Sequence, residues 1–184
     1  RNGRAQRIES ITPEVGGADI ITAEDGASRI IGGAGDDTIT TGAGNHVILG
    51  DSGEADFTVT VTNGVTTSVL ARIATAAPSI GGSDTITFGA GNNVVLGGMG
   101  GDTIKGGDKG AVILGDNGIV AFDALGRIQR ALSFDTAIGG DDSITIGDGN
   151  NVVLGGTGRD TITIGDGNNV VLGDSGQADF EAGI

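Results

Sequence analysis

Cysteine, tryptophan and tyrosine are absent from this 184-residue chain, proline occurs twice, and the only aromatics are five phenylalanines. Without cysteine, neither a disulfide nor a thiolate metal site can hold the fold, and no thiol nucleophile is available. So few rings exclude a core built on aromatic packing. Basic residues are scarce as well: 10 Lys and Arg stand against 24 Asp and Glu, a formal net charge of −14. Such a surface repels nucleic acid and anionic membranes and suits divalent cations, which prefer carboxylate and carbonyl oxygen. No apolar run approaches the roughly 20 residues of a membrane helix, so no membrane insertion is expected. A single histidine and the missing Cys and Tyr leave little for acid–base or nucleophilic chemistry, and the expectation is a protein that is not an enzyme. The opening RNGRAQR carries no signal-peptide pattern and reads as the start of an excised segment.

What is present in excess is glycine, with 38 residues. Glycine at this density suits linkers or disorder, because each one adds backbone entropy that folding must overcome. Regularly placed Ile and Val argue against a linker. In IGDGNNVVLGGTGRDTITIGDGNNVVLGD (146–174), bursts such as NVVL and DTIT separate the glycines.

Self-alignment shows a repeat inside a repeat. GGSDTITFGAGNNVVLGGMGGDTI (81–104) recurs as GGDDSITIGDGNNVVLGGTGRDTI (139–162), placing Asp84 on Asp142 and Asp102 on Asp160. Asp19, Asp37 and Phe57 fall on Asp84, Asp102 and Phe122. Within each unit the same pattern returns after 18 residues, as from Asp84 to Asp102, and in weaker form after nine, as from Asp84 to Asn93. The chain reads as a single array over 1–184: the end of a hairpin coil (1–18, with a turn at Asn2-Gly3), unit one with a longer hairpin (19–78), unit two (79–136) and a truncated unit three (137–184).

The nonapeptides GGAGDDTIT (32–40), GGMGGDTIK (97–105) and GGTGRDTIT (155–163) fit G-G-x-G-x-D-x-U-x, with U a large apolar residue. In these motifs the sequence resembles the RTX (repeats-in-toxin, haemolysin-type) calcium-binding nonapeptide-repeat family, found in large secreted bacterial adhesins. The resemblance covers most of the chain except the hairpins. It implies a secreted protein, extracellular or on the bacterial cell surface, and calcium bound between successive turns at Asp19/Asp37, Asp84/Asp102 and Asp142/Asp160.

The eighth position supports the pattern independently. It reads Ile21, Ile39, Ile86, Ile104, Ile144 and Ile162 on the Asp half, and Ile30, Ile48, Val95, Ile113, Val153 and Val171 on the other. In a strand, alternate side chains share a face, so the eighth position points in while its neighbours point out. The expected fold is all-β: a parallel β-roll or β-solenoid of 18-residue coils with a β-hairpin excursion every third coil. The third coil is expected to be larger, with Phe57, Phe122 and Phe180 at its inward position and Asn63-Gly64 as a hairpin turn.

Stacked G-G-x-G-x-D turns offer carboxylates and backbone carbonyls, the oxygen environment of Ca²⁺; the alternative is that these Asp only make Asx-turns. In the third coil the sixth position is Ala55, Val120 or Ala178, so each Asp ladder is expected to stop after two rungs. Asp51, Asp116 and Asp174 stand nearby either as third carboxylates or as turn residues. On the opposite edge, Asn93, Asn151 and Asn169 are expected to stack as a structural ladder, with Asp148 and Asp166 as the exception; His46 occupies an Asn slot and is expected to be a loop residue and not a transition-metal ligand.

The two outer faces differ. Thr38/Thr40, Thr85/Thr87, Ser143/Thr145 and Thr161/Thr163 make one polar, with Lys105 interrupting it; Val47/Leu49, Val94/Leu96, Val112/Leu114, Val152/Leu154 and Val170/Leu172 make the other apolar. An apolar stripe of that size needs a cover, expected to be the hairpins, otherwise another solenoid. The function expected is a calcium-dependent structural module of a large secreted or cell-surface protein: an adhesin stalk, biofilm fibre or sheath. The alternatives are an ice- or surface-binding solenoid, or an accessory module of a calcium-dependent polysaccharide-modifying enzyme. Partners expected are calcium ions, neighbouring repeats of a parent protein and further copies of the chain in fibres or layers, with hairpin arginines meeting acidic turns.

Overall fold

The computed structural model describes residues 4–181, all strand, turn and loop, with no helix among them. The expected turn at Asn2-Gly3 lies outside the described residues. Two parallel sheets form a roll. The Thr sheet holds β2 (Ile20–Ala23), β4 (Thr38–Thr41), β8 (Thr85–Phe88), β10 (Thr103–Gly106), β14 (Ser143–Ile146) and β16 (Thr161–Ile164). The Val/Leu sheet holds β3 (Arg29–Ile31), β5 (Val47–Leu49), β9 (Asn93–Gly98), β11 (Ala111–Asp116), β15 (Val152–Gly156) and β17 (Val170–Asp174). Each coil contributes one strand to each sheet.

Register follows the repeat. Ile39 faces Ile86, Ile86 faces Ile104 and Ile104 faces Ile144 along the Thr sheet; Ile48, Val95, Ile113 and Val153 do the same along the other. These eighth-position side chains, with Phe88 and Ile146, make the inner core. β-branched residues suit such stacks because their restricted χ1 packs well on a pleated surface.

The hairpins do not form coils of the roll. β4 pairs directly with β8, and β5 with β9, although a long excursion separates them in sequence. Thus six coils stack without interruption, and the expectation of a larger third coil inside the roll is corrected. Phe57 and Phe122 pack outside the roll, on the outer face of the Val/Leu sheet, together with Phe180. The reason is room: the two-sheet core is already filled by the stacked Ile and Val.

The excursions build a third sheet, antiparallel, from β1 (Arg7–Glu9), β6 (Gly53–Thr62), β7 (Val65–Thr75), β12 (Gly118–Phe122), β13 (Ile128–Ser133) and β18 (Gln177–Asp179). It lies on the Val/Leu face. Leu49, Leu96, Leu114 and Leu154 are fully buried against Ala55, Ile73, Val120 and Ala131. The apolar stripe is therefore covered by the chain's own hairpins. In the first hairpin, Asn63 (φ 51°) and Gly64 (φ 77°) both take the left-handed conformation that a tight two-residue hairpin turn requires. Register shifts at Asp56/Phe57 and at Ala121/Phe122 insert an extra residue in β7 and β13. That bulge lets Leu70 face inward with Ile73, and Ile128 with Ala131, despite their odd spacing.

Leu114 joins the hairpin sheet to the roll with no exposure. Leu114→Ala is expected to cost about 2–5 kcal/mol, the range for emptying a packed leucine site. Leu125→Ala, at a 74% exposed position, is expected to cost almost nothing. Denaturant unfolding of the calcium-loaded protein measures both, and equal midpoints would show that the hairpin sheet adds no packing.

Candidate metal centre

Every coil turns from the Val/Leu sheet back to the Thr sheet through a glycine turn that ends in aspartate. In the structure these aspartates form one row in the order Asp19, Asp37, Asp84, Asp102, Asp142, Asp160. The amide N–H of each donates to Oδ1 of the next, at 2.7 Å for the first four links and 2.9 Å for the last. The expectation of separate two-rung ladders is thereby corrected. Asp37 bonds to Asp84 across the excursion because the hairpin leaves the roll and returns.

One oxygen of each carboxylate is thus committed to backbone. The other, Oδ2 of Asp37, Asp84, Asp102, Asp142 and Asp160, is buried with no hydrogen-bond partner. Each points at a glycine and the carbonyl of a further glycine. A Cβ added at Gly97 would overlap both Asp102 Oδ2 and the Gly115 carbonyl oxygen, and Gly32, Gly50, Gly115 and Gly155 repeat that relation with their own aspartates. Two more glycines of the same turn, Gly98 (φ 122°) and Gly100 (φ 96°), adopt conformations that side chains disfavour. The turn is therefore a cradle of one orphaned carboxylate oxygen and neighbouring carbonyls. Among the described residues no three acidic, imidazole or thiol groups converge on one point. A cation here draws on backbone carbonyls as much as on side chains, which suits a hard ion such as Ca²⁺.

The electrostatics say the same. Burial pushes the carboxyls of Asp84 up to about 7 and Asp142 to about 8, with other aspartates nearby adding to the rise. Asp102, the most enclosed, is raised well above the usual range, and Asp37 and Asp160 are raised too, again chiefly by burial. Neighbouring rungs stand a strand spacing apart, about 4.8 Å, where two unit charges repel by on the order of 3 kcal/mol at an effective dielectric of 20. Burying one Ile or Val returns about 1.5–3 kcal/mol. A fully ionised row therefore offsets much of what each coil's core contributes. A buried, ionised row needs a counter-ion.

Asp51 and Asp116 have a different task. Asp51 accepts N–H groups from Gly82 and Met99, and Asp116 from Gly140 and Thr157. Each stands where the chain leaves for a hairpin, and grips both the returning segment and the glycine turn of the next coil. This is the turn role left open by the sequence; their carboxylates, pushed up to about 8 and about 6 by burial, lie beside the row. Asp174, in the last coil, is exposed.

On the opposite edge the ladder is amide and imidazole. His46 Nδ1 accepts the Ser28 N–H at 3.2 Å, Asn93 Oδ1 accepts from His46, and Asn151 Oδ1 accepts from Ala111 at 2.9 Å. His46, in the loop just before β5, is fully buried, with Nε2 3.0 Å from the Gly42 carbonyl, and so serves as a rung of this ladder. Asp148 and Asp166 stack too, but exposed to solvent. Sequence reasoning expects backbone carbonyls in these turns without saying which ones; in the fold those of Gly50, Gly97, Gly115, Gly155 and Gly173 lie beside the orphaned oxygens. Only their place at the head of each motif marks them.

A pH dependence follows with a definite sign. Unfolded aspartates titrate near 3.9, whereas Asp37, Asp51, Asp84, Asp102, Asp116, Asp142 and Asp160 titrate higher in the fold. Without a cation, the folded chain binds more protons than the unfolded one, so this contribution is complete below about pH 4 and drains away as pH rises through 6–8. In chelator, β structure followed by circular dichroism is expected to be greater at pH 5 than at pH 8, and calcium to erase the difference. More β structure at pH 8 in chelator contradicts this.

Comparison with curated proteins and with solved structures gives no match. A family model described as RTX calcium-binding nonapeptide repeat matches four times, over residues 15–53, 80–108, 134–162 and 145–177. The matches take in all six row aspartates and leave out both hairpins. They cover well over half of the sequence, and the chain belongs to the family of RTX calcium-binding nonapeptide repeats, whose cation is Ca²⁺.

Proposed function

We propose that the chain is a calcium-dependent structural module of a large secreted or cell-surface protein, serving as an adhesin stalk, biofilm fibre or sheath segment. Calcium is held along the row from Asp19 to Asp160, with Asp51, Asp116 and Asp174 adding negative charge beside it. The observation that carries this reading is the set of five buried, unpartnered Oδ2 atoms repeating in five successive coils of the six. A periodic device of this kind sets the stability of a rod, coil by coil, and is not focused on one reacting atom.

Exposed apolar residues at the two ends of the roll, Ile11, Val15 and Ile20 at one and Val170 and Val171 at the other, support stacking against further coils or a second copy. Lateral association through hairpin arginines has less support. Arg7 and Arg72 both pair with Glu54, Arg127 pairs with Asp123 at 2.8 Å, and the Val/Leu face is already covered. Calcium titration tests the main reading. In EDTA at pH 7.5 the protein is expected to be largely coil, and millimolar Ca²⁺ to restore β structure, with scattering rising end to end. Asp102→Ala is expected to shift the midpoint to higher calcium, by more than Asn93→Ala does. Full β structure in EDTA, or equal shifts in the two variants, overturns it.

A second reading is favoured by one observation. Because the coils stack without a break, the Thr ranks run unbroken across the sheet: Thr38, Thr85, Thr103, Ser143 and Thr161 in one, Thr22, Thr40, Thr87, Thr145 and Thr163 in the other, with Lys105 intruding. Most are exposed on a parallel sheet in register, a repeating array of hydroxyl and methyl groups suited to ice or another crystalline surface. Thermal hysteresis that disappears in Thr85→Lys/Thr145→Lys would establish ice binding, and none at millimolar protein would remove it.

A further inference from the structure

A cleft of about 640 Å³ opens between the hairpin sheet and the Asn-bearing edge of the Val/Leu sheet. Its volume is that of a small-ligand site. Although the chain carries 24 Asp and Glu, none lines the cleft. The charged lining residues are Arg4 and Arg29. The acids of that edge, such as Asp148 and Asp166, come just after the Thr-sheet strands and stand outside the lining.

Arg29 occupies an outward position that every later coil gives to valine: Val47, Val94, Val112, Val152 and Val170 follow it in register. Its guanidinium lies 4.2 Å from the ring centre of Phe57, and Nε is buried without a hydrogen-bond partner. Among the described residues no carboxylate pairs with it. Ser68 Oγ, on the opposite wall, is also buried and unpartnered. Both residues line the same cleft, with these two polar atoms covered beneath its wall. At the rim, the side-chain oxygens of Asn45 and Asn150 accept the N–H groups of Asn92 and Asn168, at 3.0 and 3.1 Å, which leaves their NH₂ ends as donors. Phe122, Leu70 and Ile128 supply apolar wall.

We propose that this cleft binds an acidic saccharide, with Arg29 taking the carboxylate and the amide rim taking ring hydroxyls. An unpaired guanidinium selects an anion, a fork of N–H donors matches a carboxylate, and aromatic and aliphatic walls beside amide donors match a sugar ring's apolar face and hydroxyl edge. This binding is independent of the calcium row, which runs along the other edge of the roll.

The probe is a trimer of galacturonic acid, titrated calorimetrically into the calcium-loaded protein at fixed free calcium. Its uncharged methyl ester and a tripeptide with a free C-terminal carboxylate serve as comparisons. Binding of the acid is expected to exceed that of the ester at least tenfold. Arg29→Gln and, as a second variant that leaves the buried walls intact, Asn150→Asp are each expected to weaken it at least tenfold while circular dichroism stays unchanged. Uronates also chelate calcium, and binding through the aspartate row would survive both variants. The proposal is overturned by no binding, by equal binding of acid and ester, by unchanged affinity in folded Arg29→Gln or Asn150→Asp, or by preference for the peptide.

Discussion

A carboxylate at every coil, each held by the amide of its neighbour, is the constraint around which the molecule is arranged. The hydrogen bond from Asp84 N–H to Asp102 Oδ1 aligns successive turns and, by occupying one oxygen, aims the other into the glycine cradle. The same stacking that orders the backbone brings like charges together. Order and repulsion cannot be separated here, because both come from the strand spacing. A divalent cation beside the row would resolve the conflict, and the glycines leave carbonyls next to the unpartnered carboxylate oxygens.

The rest of the architecture follows from the thinness of a two-sheet roll. Six coils of Ile and Val bury one narrow core, and the Val/Leu sheet would present a second apolar face to water. The antiparallel hairpin sheet converts that face into a second core, adding Phe57, Ile73, Val120 and Ala131 above the leucines. The result is three layers, with the outer side of the hairpin sheet and the threonine face left to water. Its polarity is what lets it remain uncovered.

Much of this was legible in the sequence because the period is short and strict. The eighth-position Ile and Val, the Asp turns and the inward/outward alternation required no tertiary information. The failures share a cause. A residue's position along the chain does not say whether an intervening segment stays in the stack, so Asp37 and Asp84, 47 residues apart, were not seen as neighbours. Phe57 was assigned inward by extending the nine-residue count into a segment that obeys hairpin geometry instead. Leu70 and Ile128 were hidden by bulges, which break alternation. Arg29 was visible as the one charged member of a valine rank, but its meaning depended on a hairpin wall that only folding supplies. The glycine motif implies carbonyls in the turns, but which carbonyl meets which carboxylate depends on the stacking.

The brackets at Asp51 and Asp116 separate the roll's length register from whatever is inserted between coils. The first hairpin has strands of ten and eleven residues and the second of five and six, yet the rows on both sides continue in step. Mechanically, the roll is a rail and each excursion a carriage clamped to it. Sequence drift in a carriage leaves the rail's spacing untouched, so surface character can diversify from unit to unit under separate selection while the load-transmitting axis remains uniform.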